Sequence, residues 1–234
     1  MLVLFDIDGT LLLKAATEHA QAVLEAIEDV WGVSPGGHLP VQAAGRTDTD
    51  IAREILLLSG VAASAIDAGL EDFRDAAVRR YVDLVPADLS ERLAPHAAGV
   101  VAGLASDGGY RLSLVTGNLE PVARLKLKSA GIGRHFELGQ GGFGSDSEDR
   151  SDLPSIARAR AANWNGGEPW PRERTVVVGD TPRDIACARA DGVHVVAVTT
   201  GPFDASELRD ADAVIDGLAG LPRTLSELGL GKSQ

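Results

Sequence analysis

A doubly wound α/β domain, a parallel sheet core carrying an inserted all-helical module, is the fold class that this 234-residue chain predicts. Three observations carry it. Short apolar runs at 2–5, 112–115, 175–178, 193–198 and 213–215 are continuous rather than alternating, the pattern of strands buried on both faces. Helical segments separate the later runs, and strand alternating with helix builds a parallel sheet covered on both sides. From residue 14 to 86, by contrast, no strand pattern occurs and apolar residues recur at helical spacing.

The first run, Leu-Val-Leu-Phe, leads directly into Asp6-Ile7-Asp8-Gly9-Thr10. Three helices are then expected. Ala20, Val23, Leu24, Ile27 and Val30 share one face of the first, and Ile51, Ile55 and Leu58 one face of the second. Ile66, Leu70, Phe73, Ala77 and Tyr81 mark the third. A loop rich in glycine and proline, 32–45, separates the first two, and Thr47 with Asp50 reads as a capping pair for the second. Pro86 and Pro95 flank the return, so residues 1–13 and 87–234 form the core and 14–86 the cap.

In the core, the run at 112–115 ends in Thr116-Gly117-Asn118, and a helix over 119–130 stops at Gly131. The stretch 139–152 is glycine-rich and polar and reads as a functional or mobile loop. A helix over 153–162 ends before Gly166-Gly167. The run at 175–178 ends in Gly179-Asp180, with Thr181 as N-cap and Pro182 as first residue of a helix that stops before Gly192.

Composition narrows the function classes. A net charge of −12 disfavours nonspecific binding to nucleic acid or to anionic membranes. Cys187 is the single cysteine, which rules out an internal disulfide framework or a cysteine-based zinc site, and it reads as a small buried hydrophobe. No signal-peptide pattern and no apolar run long enough for a membrane span occurs, so a cytoplasmic protein, monomer or homodimer, is expected. Trp31, Trp164 and Trp170 read as packing residues at element ends.

Ligands of open parallel sheets bind at the carboxyl ends of the strands. That rule brings Asp6, Asp8, Thr116, Asp180 and Asp184 together from three distant segments. Clustered carboxylates repel and are costly to bury unpaired, and a hard cation such as Mg²⁺ relieves both costs through oxygen ligands. Asp6 and Asp180 are the natural direct ligands. A carboxylate can also act as a nucleophile on phosphorus, and a second carboxylate two residues on lies where it can move a proton at the leaving group. Gly9 permits close backbone approach to a phosphate, Thr116 offers a hydroxyl, and Gly117-Asn118 opens the next helix with its N–H groups.

Each residue also has a plain structural role. Asp6 to Gly9 is a turn sequence, and Asp184, three residues after Thr181, completes a capping box. Asn118 can serve as an N-cap. Arg46 precedes the second helix and can be simply exposed, and His19 reads as surface or satisfied core.

"DIDGT" at 6–10, "VTGN" at 115–118 and "VVVGDTPRD" at 176–184 resemble, in order and spacing, the motifs of the haloacid dehalogenase-like superfamily of phosphohydrolases. The resemblance covers essentially the whole chain, with 14–86 in the place of a helical cap. It implies that Asp6 is the nucleophile and a Mg²⁺ ligand. Asp8 is then general acid and base, with its carbonyl on the metal. Thr116, Gly9, Thr10, Gly117 and Asn118 bind the phosphoryl group, Asp180 ligates the metal, and Asp184 supports it. Members carry a basic residue, usually lysine, before the last motif; here Arg150 occupies that place. Lys126 and Lys128 are alternatives that read as a solvated helix face. Arg46 would sit on a cap loop facing the site and bind phosphate or carboxylate on the substrate.

The expected function is therefore Mg²⁺-dependent hydrolysis of a small phosphorylated metabolite through an aspartyl phosphate. A phosphomutase of the β-phosphoglucomutase type is the alternative and needs a base on the cap, where His19 is the nearby candidate. A dehalogenase needs no acid at Asp8, a phosphonatase needs a cap lysine and has only Lys14, and a binding module predicts loss of a catalytic carboxylate; all three fit less well.

Overall fold

The computed structural model describes residues 1–34 and 41–231. Part of the 32–45 loop therefore lies outside the described residues. Six parallel strands form one sheet in the order β3-β2-β1-β4-β5-β6. They are β1 (Leu2–Phe5), β2 (Arg111–Thr116), β3 (Gly142–Phe143), β4 (Thr175–Gly179), β5 (His194–Val198) and β6 (Ala213–Ile215). The chain runs outward one way through β2 and β3, then the other way through β4, β5 and β6. The order reverses between β1 and β4, the topological switch point of a doubly wound sheet.

Residue alternation on β1 explains the layering. Val3 and Phe5 join one buried cluster with Val176, Val178, Val196 and Val198, packed under α4 (Ala97–Ser106), α5 (Glu120–Ser129) and α8 (Leu221–Glu227). Leu2 and Leu4 join the opposite cluster with Val177, Val195 and Ala197, under α6 (Leu153–Arg160) and α7 (Pro182–Asp191). Both faces are covered, which is why the strands read as unbroken apolar runs.

The described residues of 17–84 hold three helices, α1 (Thr17–Trp31), α2 (Asp48–Leu58) and α3 (Ala63–Leu84), with a buried cluster of their own around Ile27, Ile55, Phe73 and Tyr81. Leu119 and Val122, at the start of α5, belong to that cluster and tie it to the sheet domain. Thr47 caps α2 by accepting the Asp50 N–H at 3.2 Å. Thr181 and Asp184 form the reciprocal capping box of α7, with Pro182 at its first position.

The structure departs from the sequence reading in three places. The 139–152 stretch is not wholly a loop: β3 within it extends the sheet beside β2. Two residues, one a glycine, carry no recognisable apolar run. Helices α4 and α8 fall outside the sequence reading, and neither has a capping side chain; α4 contains two glycines and begins after His96 in a left-handed conformation. Asn118 is not the N-cap of α5. Leu119 holds that place and has no capping side chain. Instead Asp48 on α2 accepts the Leu119 N–H at 2.9 Å, and Ser145 accepts the Glu120 N–H at 3.0 Å, so these helix-opening N–H groups are already taken.

The α2–α5 junction is close. The Asp48 N–H donates to the Gly117 carbonyl at 2.9 Å, and a Cβ at Gly117 would run into the Arg46 carbonyl. Gly117→Ala is therefore expected to destabilise the protein by about 1–3 kcal/mol as the two segments are forced apart. Gly99→Ala, on exposed α4 with open space around it, is expected to be neutral or to stabilise by up to ~1 kcal/mol. Urea unfolding midpoints of the two variants check the contrast.

Candidate active site

Asp6 follows β1 directly and Asp180 follows β4, so the two carboxylates emerge from adjacent strands at the switch point. Asp184 on the first turn of α7 completes a buried cluster in which one oxygen of each residue lies within 4.8 Å of the others. Arg150 enters it from a short 3-10 turn before α6, donating from Nη2 to Asp6 at 3.0 Å and to Asp184 at 2.5 Å. Asp184 also accepts the Thr181 N–H at 2.9 Å, so it serves the capping box and the cluster at once.

Electrostatics follow from this crowding. Burial is the main cause that pushes the Asp6 carboxyl up, with Asp184 and Asp8 adding to it and Arg150 opposing. Burial likewise pushes Asp180 up, reinforced by Asp6 and Asp184 and opposed by the Thr10 hydroxyl. For Arg150, burial works against its charge, but Asp184 and Asp6 outweigh it and hold the guanidinium charged. Three buried carboxylates thus share one guanidinium and remain short of positive charge. An all-oxygen donor set with a charge deficit suits a hard divalent cation, and Asp6, Asp180 and Asp184 are the residues that would hold it.

Asp8 has different company. Its Oδ2 accepts from Lys126 Nζ at 2.6 Å and from Asn118 Nδ2 at 2.9 Å. Its Oδ1 has no hydrogen-bond partner among the described residues. Burial alone raises Asp8, yet the charge of Lys126 and the hydrogen bonds from Lys126 and Asn118 hold its carboxyl below the usual range. Lys126 Nζ also lies 3.1 Å from His19 Nδ1, and His19 Nε2 lies 3.0 Å from Asp48 Oδ2. An ammonium has donors only, so Nδ1 accepts and the ring proton sits on Nε2, donated to Asp48.

A cavity of about 300 Å³ opens over these groups, lined on the sheet side by Asp6, Asp8, Gly9, Gly117, Asn118, Arg150 and Asp180. The other expected residues are placed differently. Thr116 is fully buried and does not line the cavity; its hydroxyl oxygen lies 3.4 Å from the Asn118 N–H. Thr10 is also buried away from the cavity and donates to Asp180 at 3.1 Å, a brace for that carboxylate rather than a substrate contact. The Gly9 N–H is bonded to the Leu12 carbonyl at 2.8 Å. Gly9 is required by its φ of +90° and because a Cβ there would collide with the Asp180 carboxylate.

Arg46 borders the cavity, but its guanidinium is not free: it is ion-paired with Asp50, at 2.6 Å, and with Glu54. The expected capping pair of Thr47 with Asp50 is thus only half made, because the Asp50 carboxylate goes to Arg46.

Lys126 corrects the reading of a solvated face. It is fully buried, whereas Lys128 is exposed. The signal was present: Lys126 lies four residues after Val122 and four before Ala130, both buried, so it falls on the inward stripe of α5. His19 and Asp48, which complete this chain of contacts, carry no motif of their own. Cys187 is buried with its thiol pushed up to about 12, mainly by burial, as an inert core residue.

Fold and site together define an α/β protein of hydrolase type, with its reactive groups at the carboxyl edge of a parallel sheet and a helical segment above them. A sequence profile of the haloacid dehalogenase-like hydrolases matches residues 3–189. This chain belongs to that family.

Among curated relatives, a tyrosine-protein kinase PtkA of Mycobacterium tuberculosis is 30% identical over 86% of this chain and 62% of its own length. The chain therefore spans about three fifths of that relative. A phosphoglycolate phosphatase of Cupriavidus necator is 29% identical over 96% of this chain and 92% of its own. A β-phosphoglucomutase from Clostridium difficile superposes with a TM-score of 0.68 at 17% identity, covering 97% and 95% of the two chains, which establishes the shared fold.

Replacing Lys126 with methionine leaves a buried carboxylate without its cation, a loss of about 3–5 kcal/mol when such pairs are fully buried. Because a quarter of the Asp8 side chain is exposed, the lower end is expected. Without its partner, Asp8 titrates above its unfolded value, so the folded state binds the extra proton and the penalty applies above that raised pKa. The deficit against wild type should therefore narrow as pH falls from 7 towards 5. Denaturant titrations at several pH values measure it.

Proposed function

We propose that the protein is a Mg²⁺-dependent phosphomonoesterase acting on a small phosphorylated metabolite through an aspartyl phosphate on Asp6. The observation that carries this reading is the division between the two carboxylates. Asp6 lies in the cluster that would hold the cation, beside Arg150. Asp8, two residues on, is held by Lys126 and Asn118, lines the cavity, and has a second carboxylate oxygen that is buried without a hydrogen-bond partner among the described residues.

In this reading Asp6, Asp180 and Asp184 would hold the cation, which when bound would offset repulsion between the incoming phosphate and the attacking carboxylate. Arg150 restrains Asp6 and adds positive charge where phosphate charge develops. Asp8, ionised at rest beside Lys126, first takes the proton of the monoanionic phosphate ester; Asp6 attacks phosphorus, and the bond to the leaving oxygen breaks as Asp8 delivers that proton to it. Asp8 then takes a proton from the water that attacks the acyl phosphate, which releases inorganic phosphate and restores Asp6. The helical segment excludes bulk water meanwhile. The name of the Cupriavidus relative supports phosphatase chemistry, and its near-complete overlap with this chain supports carrying it over. A mutase needs a free base on the helical segment; His19, the candidate, is engaged on both ring nitrogens.

Phosphate release across a panel of phosphomonoesters with Mg²⁺ tests the reading. Asp6→Asn is expected to lower turnover by at least about 10³-fold, as loss of a nucleophile does. Chelation is expected to abolish release and added Mg²⁺ to restore it. Wild-type turnover by Asp6→Asn, or full activity in chelator, would sink the mechanism.

A further inference from the structure

The cavity wall facing the site restricts what the phosphate can be attached to. Resting on the phosphomonoesterase reading, we infer that the substrate is a phosphomonoester of a short, neutral aliphatic alcohol, and that a second anionic group on the substrate is selected against.

Three features of the wall argue for this. First, it is built of small apolar side chains: Ala16, Ala20 and Val23 from α1 and its approach, Ala43 and Ala44 before the Arg46 turn, and Ile51 on α2. Such a wall solvates neither a carboxylate nor a ring of hydroxyls, and burying those groups without partners is costly. Second, the polar groups that reach this side are already matched. His19 and Asp48 bond each other, and the Asp48 oxygen that does so also accepts the Leu119 N–H. Arg46 is neutralised by Asp50 and Glu54, which line a separate polar cleft and not this cavity. Its nitrogens are thus committed to carboxylates outside this cavity. Two carboxylates on one guanidinium, with Asp48 beside them, leave that wall with no spare positive charge among the described residues. Third, no Phe, Tyr or Trp among the described residues lines the cavity, and its volume of about 300 Å³ lies at the low end for ligand pockets. A nucleobase finds neither a stacking face nor room.

The phosphate end differs: Arg150 and the cation cluster face it. The selectivity is therefore between leaving groups, not between phosphates.

Matched pairs test this. Ethyl phosphate and phosphoglycolate differ by a carboxylate in place of a methyl; propyl phosphate, glycerol 3-phosphate, glucose 1-phosphate and AMP extend the series. The expected result is kcat/KM for ethyl and propyl phosphate at least about tenfold above that for phosphoglycolate, with the sugar phosphate and AMP lower still; one well-placed or misplaced group carries differences of this order. The double variant Asp50→Asn with Glu54→Gln releases Arg46 and is expected to shift the ratio several-fold towards phosphoglycolate. If wild type prefers phosphoglycolate, glycerol 3-phosphate, glucose 1-phosphate or AMP over the alkyl phosphates, the inference falls while the phosphatase reading stands. An unchanged ratio in the double variant overturns the part assigned to Arg46. If no member of the panel releases phosphate above the Asp6→Asn background, the phosphatase reading falls and takes this inference with it.

Discussion

Everything at this site turns on the cost of placing Asp6, Asp180 and Asp184 side by side in a buried crevice. Arg150 meets two of them, and Thr10 braces the third. One guanidinium cannot balance three carboxylates, so the cluster is built around a missing positive charge. The glycines follow from the same crowding. Gly9 and Gly179 lie so close to Asp180 and Asp184 that a side chain at either would displace a carboxylate. The turn chemistry of the motifs is thus a packing requirement of the charged cluster.

The second carboxylate is kept out of that cluster by an independent set of contacts. Lys126 comes from the inward face of α5 and His19 from α1, and both are buried. A lysine with no exposed surface is unusual unless paired; here it is bonded to Asp8 and to the His19 ring. Two carboxylates separated by a single residue are in this way given opposite environments, one short of positive charge and one supplied with it. In the proposed mechanism that difference separates the nucleophile from the proton carrier within one chain segment.

The sheet and the carboxylate cluster were legible because their signals are local. Buried parallel strands leave unbroken apolar runs, and the ligand rule for such sheets then places Asp6 and Asp180 together. Thr181 and Pro182 announce α7, and the structure bears them out. What escaped detection depends on partners distant in sequence. Lys126 looks like any lysine until its position relative to Val122 and Ala130 is traced. Asp48 caps a helix 71 residues further on, which no local pattern encodes. Arg46 was read for its charge alone, whereas Asp50 and Glu54, four and eight residues later on the same helix, decide where that charge goes. β3 is too short to leave a pattern at all.

Asp48 joins three things: its N–H holds the Gly117 carbonyl, and its carboxylate takes both the Leu119 N–H and the His19 ring. Lifting the helical segment from the sheet domain would break the bonds to Gly117 and Leu119 together with the His19–Lys126 contact. His19 would leave with Asp48, and Lys126 would keep only Asp8. Seating of the helical segment therefore also completes the contacts of the lysine that holds Asp8. The arrangement is an interlock, in which the surroundings of Lys126, and through it the charge balance around Asp8, are complete only while the helical segment is seated.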